Sequence, residues 1–145
     1  FLGRHLNTVI EQENDGQAIR MAIATLLMEV ARVHADISEP ERRAVQRLIE
    51  THFALPPDVS LTIAAAAERE AEHATSLYPL TSLINQECSQ QDKRQVVRML
   101  WEVSLAVSHL DRHEEHIVRR IADLLHVPHR EFSRAKLQVA EDEGG

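Results

Sequence analysis

Five of the nine histidines fall late in the chain, at His109, His113, His116, His126 and His129. His113 and His116 are three apart, so a helix places them on one face, with His109 just before it. With Asp111 or Glu115 they would offer imidazole and carboxylate ligands to zinc or another transition ion, the equipment of a hydrolytic or redox metalloenzyme. His113-Glu114-Glu115-His116 lacks the metalloprotease spacing, which needs histidines four apart. Exposed histidines at a solvated helix start account for the same pattern. Glu29 and Glu102 each interrupt an apolar helical stretch. Facing carboxylates in a bundle can hold two metals, but that design needs a histidine three residues on, where Arg32 and Leu105 stand. Ion pairs of Glu29 with Arg32 and of Glu102 with Arg98 are expected instead. The serines sit at caps or helix ends, without the glycine-flanked elbow a nucleophile needs. No enzyme is expected. Trp101, beside Glu102 on an apolar helix, is expected in the core rather than as a ligand platform.

Those side chains are expected to be held by helices alone. The chain has 145 residues, 43% of them hydrophobic, enough for one domain with a core of its own. Its four glycines are Gly3, Gly16, Gly144 and Gly145, so nothing between 17 and 143 can supply a dinucleotide fingerprint, a P-loop or an Asn-Gly hairpin. With five aromatic residues and much Ala, Leu, Glu and Arg, the composition is helical. The net charge of −7 disfavours nucleic acid as a partner. Residues 1 to 75 carry 12 acids and 7 bases, and 76 to 145 carry 11 and 9, so any basic face lies in the second half. There, Arg130, Arg134 and Lys136 follow a turn at Pro128, with Arg119 and Arg120 nearby, in the style of a recognition helix. Glu131 and the acidic end of the chain oppose that reading. Cys88 is the sole cysteine, which excludes an internal disulfide and suits a cytoplasmic location. No apolar run reaches the ~20 residues that span a bilayer. The chain opens at Phe1 rather than Met, so a preceding segment is expected.

Periodicity and caps divide the chain. A short helix is expected over Phe1 to Glu11, then a linker ending at Gly16. A helix from Gln17 to Ala35 carries Ile19, Ile23, Leu26, Leu27, Val30 and Val33. Ser38-Glu39-Pro40-Glu41 has the form of a capping box with proline in the first turn. A helix over Asp58 to His73 contains the small residues Ala64 to Ala67, which permit close approach. A short helix follows Tyr78-Pro79. Ser89-Gln90-Gln91-Asp92 and Asp111-Arg112-His113-Glu114 cap two more, and Pro128 precedes the last. The division expected is 1–16 as an N-terminal segment, 17–138 as one helical domain and 139–145 as a disordered acidic tail.

The sequence aligns with itself at a shift of 73. Glu29-Val30 then falls on Glu102-Val103, Ser38 on Asp111, Glu41 on Glu114, Val45 on Val118 and Arg47 on Arg120. With one residue deleted, Phe53-Ala54-Leu55-Pro56 falls on Leu125-His126-Val127-Pro128. An all-α, single-domain bundle of seven to eight helices with an internal two-fold helix-turn-helix repeat is therefore expected.

Three segments resemble one family: LLMEVARVHADISEPERRAVQRLIETHFAL (26–55), SLYPLTSLIN (76–85) and MLWEVSLAVSHLDRHEEHIVRRIADLLHVPHREFSRAKL (99–137). The stretch from about 20 to 138 resembles the TerB-like (tellurite-resistance protein B) family, in a stand-alone branch. The resemblance implies a helical bundle, a non-enzymatic binding or scaffolding role in tellurite or stress response, and a weak divalent-cation site at an acidic turn in each repeat. The residues it assigns are Ser38 and Glu41 in the first turn, Asp111 and Glu114 in the second. Protein partners are expected, a second copy of the chain among them. The family's turn opens with Asp-Gly, for which this chain has His34-Ala35 and Val107-Ser108. Each turn then offers two or three side-chain oxygen groups, Asp36, Ser38 and Glu41 or Asp111, Glu114 and Glu115, where a calcium ion takes six to eight oxygens. Helix starts need Ser-x-x-Glu and Asp-x-x-Glu in any case. Without glycine to wrap each turn, the preceding helix is expected to run one residue further into an ordinary cap.

Overall fold

A computed structural model describes residues 14–33, 36–107 and 112–144. The helix expected before Gly16, the His34-Ala35 pair, and the 108–111 segment with His109 and Asp111 lie outside the described residues. Among those described there are seven helices and no strand: α1 (Asn14–Ala31), α2 (Glu39–Phe53), α3 (Pro57–His73), α4 (Tyr78–Glu87), α5 (Gln90–Val107), α6 (Arg112–Leu124) and α7 (His129–Gly144). The all-α fold is as expected.

Two helices form the centre. In α1 the run from Ala22 to Met28 is buried on every side, and in α5 Val96, Val97, Met99, Leu100 and Trp101 are fully enclosed. A helix apolar all round can only be satisfied inside a bundle. They pack on each other, α1 also most extensively on α3 and α5 on α7, with α2, α4 and α6 closing the sides. The α1–α3 contact follows from small residues: Ala64, Ala67 and Ala71 lie at three- and four-residue steps and are buried, letting the two backbones approach.

Local sequence sets the helix ends. Ser38 caps α2 in an extended conformation, and Pro40 occupies its first turn, where a missing N–H costs nothing. Ser89 and Asp92 cap α5 reciprocally: the Ser89 N–H donates to Asp92 Oδ2 at 3.2 Å, and the Asp92 N–H to Ser89 Oγ at 3.1 Å. After α2 and after α6 the chain turns left-handed without glycine, at Ala54 (φ 52°) and His126 (φ 61°). The following N–H bonds back across the helix end in both, Leu55 to Glu50 O at 3.2 Å and Val127 to Ala122 O at 2.9 Å. Pro56 and Pro128 then block continuation.

Three ends differ from expectation: helix α1 already begins at Asn14, within the linker expected to end at Gly16. Helix α1 stops at Ala31 rather than Ala35, in a turn where the Arg32 N–H reaches Met28 O and the Val33 N–H reaches Val30 O. The Arg32 side chain then leaves the helix surface for the Ala71 carbonyl of α3. At the other terminus the chain is helical through Gly144, where a disordered tail was expected from 139. Val139 is buried in the core and Asp142 pairs with Arg98 of α5, which hold the last turns down.

Candidate functional site

The first turn is built by its own short-range chemistry. Ser38 Oγ and the Ser38 N–H both donate to Glu41 Oε1 at 2.9 Å, while the Glu41 N–H donates to Ser38 Oγ at 3.3 Å. That is a complete capping box, so Ser38 and Glu41 satisfy each other. Beside it, Arg42 reaches from α2 to α3 and donates to both oxygens of Glu68, each at 2.8 Å, and also pairs with Glu39. The fork holds the Glu68 carboxyl below the usual carboxylate range and raises the guanidinium further. Arg32 donates to the Ala71 carbonyl at 2.8 Å and lies 3.6 Å from Glu29. Burial raises the Glu29 carboxyl, against the pull of Arg32. Between these groups a cleft of about 440 Å³ opens, lined by Arg32, Asp36, Ile37, Arg42, Glu68 and Glu72. Glu68 and Glu72 were not legible as members of the turn. They come from α3, and only helix packing brings them to a segment some thirty residues earlier.

The second turn is described in part. Asp111 lies outside the described residues; Glu114, on the first turn of α6, is buried with 5% of its surface exposed. His113 and His116 are exposed on the same turn. His126 and His129 flank Pro128 at the far end of α6, about 20 Å away at 1.5 Å per residue. The histidines near in sequence are thus divided between opposite ends of one helix. His52 of α2 lies 3.6 Å from Glu102 of α5, and Ala44 and Ala106 line the same groove between the two helices.

A divalent cation requires several convergent oxygens, with few waters, to bind tightly. Among the described residues no three His, Cys, Asp or Glu side chains converge to hold a metal ion. The donor set of the first turn does not fit a tight site: Ser38 Oγ and Glu41 Oε1 close the capping box and both Glu68 oxygens face Arg42.

Other expected roles resolve as follows. Glu29 pairs with Arg32, as expected. Glu102 does not pair with Arg98: it lies 3.6 Å from His52 of α2, and Arg98 turns to Gln138 and Asp142 of α7. An exposed i,i+4 pair contributes only ~0.3–0.5 kcal/mol, too little to hold either side chain against a partner on a neighbouring helix. Trp101 is fully buried, donates its indole N–H to Phe132 O at 3.1 Å and packs on the Phe132 ring at 4.9 Å. It belongs to the core. Lys136, one of the residues of the recognition-helix pattern, folds back to Glu115 at 2.6 Å and over the Trp101 ring. Cys88 is buried, and that burial pushes its thiol up to about 12, leaving no reactive thiolate.

The architecture is that of an all-α bundle, with a complete capping box at the start of α2. Residues 20–137 match the family model described as Tellurite resistance protein TerB, and the chain belongs to that family. Neither a curated protein nor a solved structure matches it. Among the described residues no helix is long and apolar enough to cross a membrane.

Proposed function

We propose that this chain is a non-enzymatic binding module acting in the tellurite or stress response, and that it docks protein partners through the end of the bundle where the two repeat turns emerge. The carrying observation is the cleft of about 440 Å³ beside the first turn, with Asp36 and Glu72 exposed on it and the Arg42–Glu68 fork fixing its floor. Ser38 and Glu41 act in this reading as the cap that shapes the first turn, not as the ligands of a tight metal site. A divalent cation meets the exposed Asp36 and Glu72 carboxylates through water, in the millimolar range. Family membership supports the tellurite assignment.

The test is a tolerance assay in a tellurite-sensitive bacterium expressing the full chain or its Asp36→Lys, Glu72→Lys variant. The expected result is a gain in tolerance from the natural chain, lost in the variant with its melting temperature unchanged. Equal tolerance from both contradicts the docking end, and no gain from either contradicts the tellurite role.

A further inference from the structure

A second recess lies between the first half of α5 and α7, away from the two turns. Its volume is about 490 Å³, and three arginines line it, Arg94 and Arg98 from α5 and Arg134 from α7. Three arginines meet two carboxylates here, Glu131 of the lining and Asp142, so the groove keeps a local excess of one positive charge in a chain of net charge −7. Spacing produces it: Gln91, Arg94, Gln95 and Arg98 stand on one face of α5. We infer that this groove binds an acidic segment of a partner protein, its arginines taking aspartate or glutamate carboxylates and its glutamines taking peptide groups.

Two carboxylates of the chain itself already sit on these arginines. Arg94 lies 3.4 Å from Glu131 and Arg98 holds Asp142, so the guanidinium forks are oriented for carboxylate. Asp142 is exposed and belongs to the last turns of α7, where helices fray. An incoming carboxylate can displace it. Arg134 is exposed and, among the described residues, holds no ion pair, which leaves one fork open at the rim. Gln95 lines the same groove, and its Oε1 is buried without a hydrogen-bond partner. Lys136, turned away to Glu115, adds nothing to a phosphate-tracking surface, and the rest of the molecule repels a duplex.

The inference concerns a face other than the turn end, so its failure leaves the tellurite assay above untouched. The test is fluorescence anisotropy of the full chain at low salt with a labelled alternating Glu-Asp octapeptide, beside a Lys octapeptide, a DNA duplex and inorganic phosphate as competitor. The expected result is saturable binding of the acidic peptide alone. Arg134→Gln weakens it about tenfold, the loss of one charge-assisted contact. Asp142→Asn tightens it about threefold by removing the internal competitor, and a structural role for Asp142 would not produce that gain. Absence of binding overturns the proposal, as does equal affinity in Arg134→Gln. So does binding of the duplex, or phosphate displacing the peptide at similar concentration.

Discussion

At Ala54 and His126 the backbone enters a conformation that costs a residue with a Cβ about 1 kcal/mol. Glycine is the natural occupant of such a helix end, yet the chain between 17 and 143 contains none. Ala54→Gly and His126→Gly should each raise stability by about 0.5–1 kcal/mol, part of the relief being offset by the freer unfolded chain. Thermal unfolding checks this, and a lower melting temperature in either variant contradicts it. The two glutamates near the first turn should respond to pH with opposite signs. Burial raises the folded-state pKa of Glu29, so its contribution is fully present below the unfolded carboxylate value and is lost as pH rises through the folded one. Glu29→Gln should therefore flatten a decline in stability above the ordinary glutamate range. The Arg42 fork lowers the pKa of Glu68, so its stabilisation is present above the unfolded value and is lost as pH falls through the folded one. Glu68→Gln should cost about 1 kcal/mol at neutral pH, as for a well-formed pair, and the difference should vanish in acid. Denaturant titrations across pH give both signs. The Ser38–Glu41 box was legible because its partners lie three residues apart; the Glu68 fork was not, because sequence does not give the register of α3 against α2.

Between elements, small residues set the distances. Ala67 is fully buried on the α3 face that meets α1. Ala67→Leu should cost about 1–3 kcal/mol through overpacking, whereas the same change at exposed Ala65 should be nearly neutral. Equal effects at both would contradict the packing described. Helix positions were largely legible from caps and the 3.6-residue period, because both act within one element. The partners of Glu102 and Arg98 were not. Both choose groups on other helices, His52 and Asp142, over each other. The end of α1 was misplaced for the same reason: Val33 fits the helical period, but Arg32 leaves for Ala71 of α3.

For the whole molecule, the sequence carried the all-α fold through its missing glycines, its apolar periods and its helix caps. Positions the internal alignment matches, Ala54 with His126 and Pro56 with Pro128, stand at corresponding helix ends with similar backbone. Function was less legible, since a helix cap and half of a cation site use the same residues. On the function proposed above, Ser38 and Glu41 are caps rather than ligands. Thermal unfolding of the natural chain and of Ser38→Ala, Glu41→Gln, with and without millimolar calcium, tests it most directly. A site binding a thousandfold below the calcium concentration would add about 4 kcal/mol to the natural chain. The variant is expected to lose about 1–2 kcal/mol in metal-free buffer, and calcium to change neither melt by more than a few tenths of a kcal/mol. A large rise with calcium in the natural chain, absent from the variant, would contradict it.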